Sequence, residues 1–206
     1  MQIGILALQG DFTRHMGALK ALGVGCCEVR TARELESCHG LILPGGESTS
    51  MRLQIVSEGL DRPLHAFAEK KPAFGTCVGL ILMAKQLIVS GTTVENSLGW
   101  MEMSVERNGY GRQVNSFQER LSLTLPLLYS SEMSISCSVQ AIFIRAPRIR
   151  NWGAGVIVLA ERKQEPVFVQ QGMHLAATFH PELTEDRAMH RYFLDVVEKC
   201  RFSGAI

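Results

Sequence analysis

Net charge is nearly absent from this chain: 21 basic residues against 20 acidic ones leave +1. No one-signed field exists to draw nucleic acid or a membrane surface, and neither is expected as a partner. Long apolar runs are missing too. The longest reaches from Ala73 to Ala84 and stops at Lys85, short of the about 20 residues a membrane span needs. The amino-terminal Met1-Gln2-Ile3-Gly4-Ile5-Leu6 has no basic region, so no signal peptide is expected. The six cysteines (Cys26, Cys27, Cys38, Cys77, Cys137 and Cys200) make no CxxC pair and no compact framework. Free thiols in a reducing cytoplasm are the simplest account. There is no Walker lysine and no GxGxxG, since Val158 stands where Gly153-Ala154-Gly155 would need its last glycine. No repeat or linker interrupts the 206 residues, and 1–206 reads as one domain. Hydrophobic content of 46% with 20% charged residues suits a globular chain with a full core.

What is present centres on Phe74-Gly75-Thr76-Cys77-Val78-Gly79. A short apolar strand precedes it, and Leu80 to Ala84 continues as an apolar helix with no turn between. Strand, Gly-x-Cys-x-Gly, helix is the layout of a nucleophile elbow. Gly75 and Gly79 carry no Cβ to clash in such a turn. Helix N-termini favour anions, and the thiolate is the reactive form of cysteine. A buried structural cysteine is the competing reading.

The first half alternates strands and helices. Ile3 to Leu8 is a continuous apolar run, Asp11 can cap a helix from Phe12 to about Leu22, and Cys26 to Arg30 is a second strand. Thr31 and Glu34 have capping-box spacing for a short helix. Gly40 to Leu43 is a third strand, and helices follow through Met51 and Ile55 and from about Pro63 to Glu69. The pattern predicts an α/β fold: three layers, a mostly parallel central sheet with helices on both faces. After Ser90, strands without helices are expected at 98–105, 121–125, 139–144, 156–161, 167–170 and 175–179, forming a partly antiparallel extension of the sheet. Ser130 to Ser138 reads as an exposed loop. Glu185 to Cys200 reads as an amphipathic helix with Tyr192, Phe193, Val196 and Val197 inward.

Three further segments carry chemistry. His180-Pro181-Glu182 follows a strand, and in an extended segment positions i and i+2 share a side. Glu182 can then orient the His180 imidazole, as base and orienter do in a triad, although a surface histidine in a proline turn is also open. Pro44-Gly45-Gly46-Glu47-Ser48 lies at a strand's carboxyl end, where open α/β sheets bind ligands. It could cradle a phosphate or make an ordinary turn, but an oxyanion donor for acyl transfer fits better. Arg107, in the polar loop 107–113, and Arg145, in Phe143-Ile144-Arg145-Ala146-Pro147, could each grip a carboxylate or be solvated surface.

Together, a cysteine elbow, a Gly-Gly donor loop and a His-Pro-Glu in this order resemble the class I, triad-type glutamine amidotransferases. The likeness narrows on Leu8-Gln9-Gly10, Leu43-Pro44-Gly45-Gly46-Glu47-Ser48-Thr49, Gly75-Thr76-Cys77, Arg107-Asn108, Phe143-Ile144-Arg145-Ala146-Pro147 and Phe179-His180-Pro181-Glu182-Leu183-Thr184. These are similar to the glutaminase-subunit family of pyridoxal 5'-phosphate synthases, over nearly the whole chain. The resemblance implies a glutaminase in which Cys77 attacks L-glutamine, His180 moves the proton and Glu182 orients it. Gly46 and Val78 would donate to the oxyanion, and Gly46, Glu47, Ser48, Arg107, Ile144 and Arg145 would bind glutamine. It implies no metal and no organic cofactor. The implied partner is a (β/α)8-barrel synthase subunit that receives the ammonia. Two departures stand out: Val78 where the family usually has Ala, and a longer 130–138 stretch. Other readings are a same-fold amidotransferase such as that of imidazole glycerol phosphate synthesis, and a domain of this class that only binds and regulates. The Arg107 and Arg145 segments weigh against the first, and the intact Cys77, His180 and Glu182 against the second.

Overall fold

Alternation of apolar side chains decides which face of the central sheet each strand serves. The computed structural model describes residues 1–94, 97–109, 116–127 and 134–203. The chain runs β1 (Gln2–Leu6), α1 (Phe12–Ala21), β2 (Gly25–Val29), α2 (Ala32–Glu36), β3 (Gly40–Leu43), α3 (Ser48–Ser57), α4 (Asp61–Ala68), β4 (Ala73–Thr76) and α5 (Val78–Met83). It continues through β5 (Ala84–Val89), β6 (Thr92–Val94), β7 (Met101–Glu106), β8 (Phe117–Pro126), β9 (Ser134–Phe143) and β10 (Arg148–Trp152). Then come β11 (Val156–Arg162), β12 (Glu165–Gln171), β13 (His174–Ala177), a 3₁₀ turn (Pro181–Leu183) and α6 (Ala188–Phe202).

Seven strands build the central sheet in the order β11-β12-β13-β4-β3-β1-β2. From β13 to β2 all neighbours are parallel, while β12 and β11 add antiparallel at the edge. Period-two alternation splits the side chains between two cores. Ile3, Ile5, Ile42, Phe74, Leu175 and Ala177 face α1, α6 and the β8–β9 hairpin. Leu6, Leu41, Leu43, Ala73 and Ala176 face α2 to α5 and the smaller sheet. Each Ile, Leu or Phe so buried is worth about 1.5–3 kcal/mol against leaving it exposed. The adjacency of β13, β4 and β3 sets the position of the candidate site, because their carboxyl ends deliver 178–180, Cys77 and 44–46 to one place.

The strands after Ser90 do not all extend this sheet. β10, β7, β5 and β6 form a separate sheet in that order, and β8 pairs with β9 alone. In β8, Leu121, Leu123 and Leu125 are buried while the residues between them are exposed, the pattern of a ribbon laid on a core with one face wet. β5, β6 and β10 are not legible as strands in the sequence. Ala84 to Val89 continues the apolar helix without a break in composition, yet Ala84 turns extended at φ −65°, ψ 146°. The 130–138 expectation also needs correcting. Ser134 to Ser138 is strand, pairing in register with 122–126 through its backbone, for which serine side chains are no obstacle. Residues 130–133 lie outside the described residues.

Helix starts follow local polar groups. Thr31 accepts from Glu34 N at 3.3 Å while the Glu34 carboxylate accepts from Thr31 N at 2.9 Å, the expected capping box. Asp11 precedes α1 but makes no side-chain cap, and pairs instead with Arg14 at 3.2 Å. α6 begins at Ala188, later than Glu185, where Asp186 Oδ1 accepts from Ala188 N at 2.8 Å. Its Tyr192, Phe193, Val196 and Val197 are buried. Among the described residues, no helix is long and apolar enough to cross a membrane.

Candidate active site

The site is assembled from strand ends. β4 passes directly into α5 through Cys77, whose backbone sits at φ +50°, ψ −98°. A side chain in that left-handed region costs of order 1–3 kcal/mol and must be held by its surroundings. Cys77 N donates to Ala177 O at 2.8 Å, and Cys77 O accepts from Ile81 N at 3.2 Å. The flanking glycines allow the approach. A Cβ on Gly75 would lie 2.6 Å from both the Gly79 carbonyl carbon and Met83 Sδ, and one on Gly79 would collide with the Leu43 carbonyl. The thiol is nearly buried at the first turn of α5, with its sulfur 3.9 Å from the Ile144 carbonyl oxygen.

β13 runs beside β4, pairing Ala177 with Thr76, and three residues later the chain presents His180. Its backbone N donates to Ile142 O at 2.9 Å, and its Nδ1 lies 2.7 Å from Glu182 Oε1. The contact is made by a 3₁₀ turn starting at Pro181 rather than by an extended segment. Proline suits such a first turn because its fixed φ is already helical and its missing N–H would have had no partner. Gly45 packs under the imidazole: a Cβ there would sit 2.5 Å from His180 Cε1. Burial alone would depress the imidazole, but hydrogen bonds and negative charge from Cys77 and Glu182 outweigh it, and His180 is pushed up to about 10. Burial would likewise raise Glu182, yet His15 beside it and the hydrogen bond from His180 hold its carboxyl below the usual range.

A cavity of about 460 Å³ opens over the thiol, within the 300–1,000 Å³ range of small-molecule sites. Cys77, Val78, Gly46, Glu47, Ser48, Arg107, Ile144, Arg145 and His180 all line it, with Glu182 behind His180. Glu47 caps α3, accepting from Thr49 N at 3.0 Å and Ser50 N at 2.7 Å. These bonds hold the exposed Glu47 carboxyl below the ordinary value. Arg107 reaches across to Ser48 Oγ at 3.2 Å and Thr49 Oγ1 at 3.1 Å. Arg145 is exposed at φ +45° and makes no hydrogen bond or ion pair among the described residues. The rest of the polar loop, 110–113, lies outside the described residues.

Several lining residues have no role in the site read from the sequence. Gln9 is one: its Oε1 accepts from Glu47 N at 2.6 Å and so ties the β1 end to the Gly45-Gly46 loop. Asp11, Asn108 and Leu183 are others. His15, on the far side of Glu182, shows in the sequence only as part of a helix. Among the described residues, no group of three or more His, Cys, Asp or Glu is placed to hold a metal ion.

Residues 5–199 match the model of the SNO glutamine amidotransferase family. A pyridoxal 5'-phosphate synthase subunit PdxT of Pseudothermotoga lettingae is 44% identical, covering 95% of each chain. One of Geobacillus kaustophilus is 42% identical, covering 100% of each. Among solved structures, a glutamine amidotransferase superposes with a TM-score of 0.83 at 43% identity, covering 95% of this chain and 98% of that one. PurLQS of Thermotoga maritima, at 16% identity and a TM-score of 0.64 over 94% and 97%, shares the fold.

Proposed function

The chain belongs to the SNO glutamine amidotransferase family, and from that premise we propose that it is the glutaminase subunit of a pyridoxal 5'-phosphate synthase. It hydrolyses L-glutamine to L-glutamate and ammonia, and the ammonia serves vitamin B6 synthesis on a partner synthase subunit, a (β/α)8 barrel. The 206 residues act as one glutaminase domain, since both cores share the strands of one sheet. Six free cysteines suit the cytoplasm as its compartment.

The observation that carries the reading is that Cys77 and His180 line one cavity with Glu182 2.7 Å behind the imidazole, which its two neighbours raise to about 10. In the proposed mechanism His180 takes the thiol proton as the Cys77 sulfur attacks the side-chain amide carbon of glutamine. The C–S bond forms as the C=O electron pair moves onto oxygen. Backbone N–H groups of Gly46 and Val78 receive that oxyanion. His180 then protonates the amide nitrogen, the C–N bond breaks and ammonia leaves. Water gives its proton to His180 and attacks the thioester, releasing glutamate and the thiol. Glu182 holds one tautomer and orientation of His180 throughout. Arg107 and Arg145 grip the substrate α-carboxylate, with Glu47, Ser48 and Ile144 completing the pocket.

The test is glutamine hydrolysis by the purified chain with the synthase subunit titrated in. Hydrolysis that rises with the synthase and disappears in Cys77→Ala, while the chain still melts cooperatively, is the expected result. Cys77→Ser should fail as well, because a hydroxyl is a far weaker acid than a thiol. Turnover by Cys77→Ala would overturn the triad.

A further inference from the structure

The proposed mechanism leaves two buried histidines without a task. His15 on α1 and His190 on α6 are both fully buried. They meet behind Glu182, with His15 Nδ1 3.0 Å from His190 Nε2. The other nitrogen of His15 lies 3.2 Å from Thr76 Oγ1 and 3.4 Å from Glu182 Oε2. Resting on the triad reading above, we propose that His15 is a positioning residue for it: held in its Nε2–H tautomer by His190, it anchors both the second carboxylate oxygen of Glu182 and the hydroxyl of Thr76, the residue before the nucleophile.

The network admits one economical arrangement of protons. Burial lowers both imidazoles, His190 to about 3, so each is neutral near pH 7 and carries a single N–H. If His15 carried its proton on Nδ1, a bare Nε2 lone pair would face the Glu182 carboxylate, and His190 would bury an unpaired Nδ1–H. With the proton on Nε2, His15 donates to Thr76 Oγ1 and faces Glu182 Oε2 at 3.4 Å with an N–H rather than a lone pair, and His190 Nε2–H donates to His15 Nδ1. The His190 Nδ1 lone pair and Glu182 Oε2 are then the atoms of this network without a hydrogen-bond partner. An unpaired buried donor and two facing acceptors are both unfavourable, which selects the second arrangement. Glu182 then has one oxygen on His180 and the other facing His15, so it can neither rotate nor take up a proton easily. One imidazole thereby touches the carboxylate of the triad and the residue next to its thiol.

The test uses the full chain with its synthase subunit. Cys77→Ala comes first: if it still turns over, the triad reading fails and this proposal falls with it. If it does not, His15→Leu tests the inference alone. The expected result is a kcat lowered roughly ten- to a hundredfold, the range for outer-shell partners, with KM for glutamine unchanged. The acid limb of kcat/KM should move to higher pH, since the Glu182 carboxylate has lost the polar N–H that faces its second oxygen. The other charged and titratable groups of the network around His15, His190 and Glu182 — His180, Asp11, Arg187 and, beyond His180, Cys77 — stay in place. His15→Gln, whose amide can donate to the same oxygen, should restore most of the rate and the limb. Long-range ¹H–¹⁵N spectra of the isolated chain should show His15 protonated on Nε2, and a mixed population in His190→Phe. A lowered kcat with an unmoved acid limb would mark a merely structural histidine and overturn the proposal. So would wild-type kinetics, or His15 protonated on Nδ1. Should His15→Leu fail to fold, the spectra and the His15→Gln profile decide.

Discussion

Arg145 carries a cation on a strained backbone, at φ +45°, where only glycine is comfortable. Strain of this kind persists where something outside local preference holds it, and a guanidinium at the rim of a substrate cavity is such a place. Arg107, by contrast, is already engaged with Ser48 and Thr49. The two should therefore respond differently to truncation. Arg145→Ala is expected to raise KM for glutamine about ten- to a hundredfold, the worth of a charge-assisted bond, with little change in melting temperature. Arg107→Ala should raise KM and also loosen the start of α3. Steady-state kinetics beside thermal melts separate the two, and a large loss of stability in Arg145→Ala with KM intact would make it a structural arginine.

At the scale of elements, the contact that decides the geometry is between the β3 loop and the segment after β13. Gly45 lies against the His180 ring so closely that a Cβ would stand 2.5 Å from Cε1 and 3.1 Å from Nδ1. The ring cannot simply retreat, because Glu182 holds it from behind at 2.7 Å. Gly45→Ala should push the imidazole off its line to the thiol, and misplacement by an ångström costs roughly a hundredfold in rate. Expected is a fall in kcat of that order, larger than its effect on urea unfolding. An alanine variant with full kcat would show that the ring has room to move.

For the whole molecule, pH acts on stability from two sides. His174 and His190 are lowered by burial to about 4 and about 3, and His15 is lowered also. Unfolding frees these imidazoles to bind protons near 6.5, so stability is undiminished above that pH and falls as pH drops from there toward 3. His180 is raised to about 10. Its contribution is whole below 6.5 and is lost as pH climbs from there through 10. Urea midpoints measured from about pH 3 to about pH 10 should peak near 6.5. Cys77→Ala should blunt the alkaline limb, because the thiol is one of the two groups that raise His180. A midpoint independent of pH on the acid side would mean the buried histidines are hydrated in solution.

The parallel sheet, the capping box of α2, the inward face of α6 and the segments from which the cavity is built are all legible before any folding. Each of these is written in local order: apolar runs, a Thr-x-x-Glu spacing, a helical period, and motifs at strand ends. That β13, β4 and β3 are neighbours, and so that Cys77, Gly45 and His180 converge, comes from long-range packing. It also decided that Ala84 ends a helix and starts a strand, and that the serines at 134–138 pair rather than loop. Strand pairing is a bond between backbones, and backbones carry no sequence. His15 and His190 show the same limit from the other side. Separated by 175 positions, they have no periodicity or spacing in common, and they meet only because α1 and α6 pack on the same face of the sheet.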